Sequence, residues 1–119
     1  MDKVDLSEKL ALFADHWTPK VVGDLNGQQV KLAKLKGDFI WHHHEHEDEL
    51  FLVLHGCLAM HLRDRVIELE VGQFLIVPCG VEHKPVAQDE VHVLLFEPQA
   101  IVNTGNIHEA RTLEKLDHL

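Results

Sequence analysis

Cysteine is scarce in this chain: Cys57 and Cys79 are the only two among 119 residues. Two thiols cannot build the disulfide framework of a small secreted domain, so the expectation is a cytoplasmic protein with both cysteines free. Positive charge is short as well. Eleven Lys and Arg stand against twenty Asp and Glu, a formal charge of −9. Nucleic acids and anionic membranes both reward clustered cations, so neither is expected as a partner. The stretch MDKVDLSEKL has no apolar run of signal-peptide length, and no segment approaches the ~18 apolar residues of a membrane span. Gly/Ser-rich linkers and low-complexity tracts are missing, which leaves no internal boundary. Residues 1–119 are therefore expected to form one domain: a helical segment over 1–19, a barrel over 20–98 and a tail over 99–119. The 45% apolar and 26% charged residues are near the averages for folded soluble domains, which argues against disorder.

The segment DLSEKLALFADHW reads as a short amphipathic helix. Leu6, Leu10, Phe13 and Trp17 fall on one stripe, Asp5 with Glu8 resembles a capping box, and Pro19 ends it. From Lys20 to Pro98 the pattern is all-β. Turn signals at GDLNGQ, LKGD, LHG, LRDR, EVGQ, PCG and AQDE separate apolar or alternating runs, which suggests a sandwich or barrel. ELFLVL and FLIVP are apolar on both parities, as strands covered on both faces are, and Phe51, Val53, Phe74 and Ile76 are assigned to the core. The tail NIHEARTLEKLDHL admits either a helix capped by Asn106 and Glu109 or a strand around RTLEKL.

The stretch WHHHEHEDELFLVLHG holds five histidines, four of them within His42–His46, and four carboxylates. In an extended strand alternate side chains share a face, so His42, His44 and His46 point one way and Phe39, Trp41 and His43 the other. Two histidines at i and i+2 can converge on one ion if neighbouring strands complete the site. Glu49 enters the returning strand on the same face as Phe51 and Val53. His83 follows the turn VPCGVEH, where Pro78 and Gly80 suit the second and fourth positions of a type I turn. Three imidazoles and a carboxylate suit one divalent transition metal ion (Fe, Mn, Ni, Co or Zn) better than Ca²⁺ or Cu(I).

These residues resemble the two motifs of the cupin superfamily. The first reads G-x5-H-x-H-x(3,4)-E-x6-G and is matched by Gly37, His42, His44, Glu49 and Gly56. The second reads G-x5-P-x-G-x2-H-x3-N and is matched by Gly72, Pro78, Gly80 and His83. Fifteen residues separate Gly56 from Gly72, similar to the short inter-motif loop of small bacterial cupins, including those often likened to mannose-6-phosphate isomerase. Two positions depart from the pattern: four residues rather than five separate Gly37 from His42, and Ala87 stands where asparagine is expected. The resemblance implies an all-β jelly-roll barrel, a double-stranded β-helix, with a metal held by His42, His44, Glu49 and His83. The alternative pair His44/His46 leaves too few residues before Glu49, which puts His46 in a loop.

Other histidines carry weaker signals. His16, His61, His108 and His118 are read as surface residues, and His92 as either a pocket acid–base group or a strand histidine partnered elsewhere. Cys79 is read as turn filler. Phe39 and Trp41, facing away from the ligands, are expected under the N-terminal segment or at a subunit contact, and the resemblance implies a homodimer. Three functions follow for a small-molecule substrate or ligand: an oxygenase-type oxidoreductase, a sugar or sugar-phosphate isomerase, or a non-catalytic binding module. A second carboxylate, histidine or lysine on the inner wall favours isomerase chemistry, whereas an apolar wall favours oxygenase chemistry or simple binding. No Lys or Arg is placed on the ligand face by strand parity, and oxygenase chemistry is the expected reading.

Overall fold

Asn26 and Gly27 give the first hairpin its shape. Both take positive φ (50° and 78°), the conformation of a two-residue type I′ turn, which matches the twist of the strands it joins. The turn connects β1 (Lys20–Leu25) to β2 (Gln28–Asp38). Five more strands follow: β3 (Glu49–His55), β4 (Leu58–Leu62), β5 (Val66–Leu69), β6 (Phe74–Val77) and β7 (His83–Pro98). The computed structural model describes all 119 residues. Its strands run antiparallel in the order β1-β2-β7-β3-β6, with β4 joining β5 to β7. It is an all-β jelly roll preceded by a short helix.

The sixteen residues of β7 are the hub of the barrel. The first part of β7 pairs with β4 from His83 to Val86, the later part pairs with β3 from His92 to Phe96, and β2 follows it along most of its length. One strand therefore ties both walls together, which brings His83 at its start and Glu97 near its end into one interior. Val53, Leu58, Met60, Val91 and Val93 are at most 1% exposed and form the centre of the core. Each such burial stabilises the fold by roughly 1.5–3 kcal/mol. Gly56, in the β3–β4 turn, has φ +83°, and a Cβ there would lie 2.8 Å from the carbonyl oxygen of Glu90. Only glycine lets β7 pass this close.

Several sequence expectations change here. The helix α1 spans only Leu6–Leu10, with the Asp5 carboxylate accepting from Glu8 N at 3.2 Å. Phe13 and Trp17 leave the helical stripe because β2 claims their backbone: Lys34 Nζ donates to Phe13 O at 2.7 Å, and Trp17 N to Lys34 O at 2.9 Å. Phe74 and Ile76 are not core residues. They are 58% and 51% exposed, whereas Val77 is buried and Leu75 packs on the core. β6 is an edge strand, and nothing in the chain covers its outer face. The tail is neither helix nor strand. It is a series of turns that ends beside β1, where Val21 N donates to Asp117 O and Leu119 N to Val21 O, both at 2.9 Å. No helix is long and apolar enough to cross a membrane.

Candidate metal centre

His42 and His44 are not carried by a regular strand. Residues 43–48 form a connection without ladder pairing, and His42 makes a single bridge to His83. His42 N donates to His83 O at 3.1 Å and His83 N to His42 O at 2.9 Å, so the two residues are locked side by side. Gly80 N donates to His44 O at 2.7 Å and fixes the next ligand candidate. Gly80 itself sits at the third position of a turn closed by Val81 N to Pro78 O at 3.3 Å, with φ +80°. A positive φ at that position is the signature of type II, not of the type I turn the sequence suggested, and it requires glycine.

The structure brings His42, His44, Glu49 and His83 together. All four are buried, and one donor atom from each lies within 4.8 Å of the others. His44 Nε2 is 3.4 Å and His83 Nε2 3.6 Å from Glu49 Oε1. Bonds of about 2.1 Å to a common ion place adjacent ligands ~3 Å apart and opposite ones ~4.2 Å apart. The imidazoles are also oriented for it. His42 Nδ1 donates to Ile40 O and His83 Nδ1 to Val81 O, each at 2.9 Å, which leaves both Nε2 lone pairs directed inward. His44 Nε2, His83 Nε2 and Glu49 Oε1 are buried with no hydrogen-bond partner. An orphaned buried polar atom costs about 1–3 kcal/mol, and three aimed at one point are relieved together by one cation. The residues fit a metal ion. His43 is half-buried on the other side of the chain, and the His46 side chain is 85% exposed.

Burial and the neighbouring His83 push the His42 pKa down from 6.5 to about 4. Between those values the unfolded chain binds a proton that folded His42 refuses, so stability rises with pH across the window. The contribution is complete above pH 6.5 and is lost as pH falls towards 4. Metal-free protein is expected to lose on the order of 3 kcal/mol more than His42→Leu between pH 7.5 and pH 4, measured by urea unfolding. Equal losses in the two proteins would refute the assignment.

The inner wall also holds a buried Lys–Glu pair that strand parity did not reveal. Lys31 Nζ lies 2.8 Å from Glu97 Oε1, and the two side chains are 1% and 3% exposed. Both line one cavity with His42, Glu49, Phe51 and Leu95. Burial, and then the charge of Glu49, holds Glu97 well above the usual carboxylate range despite Lys31. Burial alone would raise Glu49 too. The closeness of Glu97 and of the His44 and His83 imidazoles outweighs that and keeps it well below the usual value. The two carboxyls are thus pushed in opposite directions, Glu97 towards the protonated form and Glu49 towards the charged one.

Phe39 packs under the N-terminal segment as expected, but it does not face away from the ligands. It lines this cavity, stacks on Trp17 at a centroid distance of 4.7 Å and meets His42 edge-on at 5.4 Å. Trp41 does face away, with the Arg63 guanidinium 3.9 Å above its ring. His92 is partnered outside the cavity: its Nε2 bonds Glu90 Oε1 at 2.8 Å, and His16 bonds the other oxygen at 2.7 Å. Cys57 and Cys79 are free and exposed.

Residues 28–97 match the family model described as Cupin domain. The crystal structure of a cupin-2 domain containing protein from Shewanella frigidimarina is 41% identical, with a TM-score of 0.80 over 81% of this chain and 94% of that one. Protein NMB1881 from Neisseria meningitidis is 27% identical, with a TM-score of 0.76 over 82% of this chain and all of its own. Among curated proteins, YdbB of Bacillus subtilis is 36% identical over 64 residues. That match covers 53% of this chain and 57% of the relative, little more than half its length.

Proposed function

This chain belongs to the cupin family, and from that premise we propose that it is a metal-dependent enzyme that moves a proton on a small hydroxy-carbonyl compound, an isomerase-type reaction. The observation that carries this reading is the Lys31–Glu97 pair beside Glu49. A divalent ion held by His42, His44, Glu49 and His83 supplies Lewis acidity when bound. Glu97, which burial pushes towards its protonated form, can deliver a proton to a substrate atom or take one back. Lys31 orients that carboxyl through its 2.8 Å contact, while Phe51 and Leu95 exclude water. Oxygenase-type chemistry, favoured on sequence, was tied to a purely apolar wall, and Lys31 and Glu97 interrupt this one.

The test is a screen of metal-reconstituted protein with small aldoses, ketoses and related hydroxy-carbonyl compounds in D₂O. Deuterium entering a carbon position, read by NMR, supports proton transfer. Oxygen consumption without deuterium entry points instead to an oxygenase. Neither signal with any of Fe, Mn, Co, Ni or Zn would leave a binding module.

The second part of the proposal is a homodimer built on the uncovered outer face. Register places Ile76, Leu50, Phe96 and Val30 in one cross-strand row, and Phe74, Leu52 and Leu94 in the next. All are half-buried or exposed, and a contiguous apolar patch of this kind marks an interface. Because strands from one chain leave the face open, a second copy offering the same face is its natural cover. Sedimentation equilibrium is expected to give a dimer for wild type and a monomer for the double variant Phe74→Glu/Ile76→Glu. A monomeric wild type would exclude it.

A further inference from the structure

His43 lies between two of the candidate ligands, and its backbone groups point away from the strand that holds them. On that far side stands the C-terminal tail. His43 N donates to Asn106 Oδ1 at 2.8 Å, and Asn106 N donates to His43 O at 2.9 Å. Asn106 therefore makes, with one side chain and one amide, the pair of bonds a neighbouring strand residue would make. On the near side, His83 and Gly80 bond His42 and His44 through their backbones. The tripeptide His42–His43–His44 is gripped from both edges.

The tail is built to deliver this grip. Thr104 is fully buried and its hydroxyl meets that of Thr112 at 2.6 Å. Asn103 closes the same loop by donating to Arg111 O and accepting from Leu113 N, at 2.8 and 2.9 Å. Gly105 has φ +58°, and a Cβ on it would collide with the His43 carbonyl oxygen and sit 3.0 Å from His42 Cδ2. Its missing side chain lets the tail touch a ligand imidazole directly.

We propose that Asn106 is a positioning residue of the metal centre: through the backbone of His43 it holds the rings of His42 and His44 in ligating orientation before the ion arrives. The role rests on the metal-site reading above. Groups one step outside a ligand set typically change metal affinity 10–100-fold when removed, and the same range is expected for Asn106→Ala. Asn106→Asp keeps the accepting oxygen and is expected to bind close to wild type.

The test measures Co²⁺ affinity by chelator competition and records the Co²⁺ ligand-field spectrum, well below the melting temperature. Asn106→Ala is expected to raise Kd 10–100-fold with an altered spectrum, and Asn106→Asp to restore both. A contribution to stability alone would lower Tm and leave the spectrum unchanged. If Asn106→Ala does not fold, Asn106→Gln serves, since its longer side chain carries the oxygen off the His43 amide and is expected to weaken binding too. Wild-type affinity and spectrum in Asn106→Ala, or in Asn106→Gln where that variant stands in, would overturn the role of Asn106. Wild-type protein that takes up no Co²⁺ would overturn the metal reading itself.

Discussion

His83→Ala is expected to weaken metal binding by about two orders of magnitude, while His43→Ala leaves it within a few-fold. His83 is 0% exposed, and its Nε2 is one of the orphaned atoms facing Glu49. Protein sites release on the order of 10–16 kcal/mol on binding a structural divalent ion. One ligand of four therefore carries about 3 kcal/mol, or roughly 100-fold in Kd. The His43 side chain lies half-buried on the other face, and its structural contribution is made by its backbone. Binding must be measured on protein purified without a histidine tag or a nickel column, because an exposed histidine-containing loop such as that around His46 can take up nickel. His83→Ala that keeps wild-type affinity would sink the four-residue site.

Glu97→Gln is expected to retain the ion and lose proton transfer. The amide has nearly the same shape and can still meet Lys31, but it holds no acidic proton. Removing a general acid or base costs typically about 10²–10⁴-fold in rate. The readout is deuterium entry into substrate in metal-loaded protein, compared with metal content in the same sample. Full exchange with Gln at this position would make Glu97 a structural partner of Lys31 and remove the main support for isomerase-type chemistry. Loss of both metal and exchange would place Glu97 in the support of Glu49 instead.

The barrel and the four candidate ligands were legible in the sequence because each rests on local rules. Asn26-Gly27 marks a hairpin, Gly80 marks a turn, and motif spacing picks His42 and His44 over His46. Lys31 and Glu97 were missed for a different reason. Lys31 shares the parity of Ala33 and Leu35, and Glu97 that of Val91, Val93 and Leu95. Both therefore face the interior of the barrel. The sequence alone, however, does not say which parity of these two strands is the inner one, and a charged strand residue reads as solvated unless its partner is known. Their contact links positions 66 apart in the chain. Phe74 and Ile76 failed in the opposite sense: apolar residues on both parities suggested two covered faces, and a single chain covers only one. The role of Asn106 was also illegible, because it sits in a tail whose order comes from Thr104, Thr112 and Asn103 rather than from any repeat.

The environments of Trp17 and Trp41 have a practical consequence. Trp17 stacks on Phe39 at the rim of the cavity, whereas Trp41 lies outside it beneath Arg63 and Lys84. These are the only indoles in the chain, and there is no tyrosine to blur their emission. Trp41→Phe leaves a single fluorophore that looks into the candidate site, and Trp17→Phe leaves one that looks away from it. Ligand entry can therefore be followed optically in the first protein, with the second as its blank.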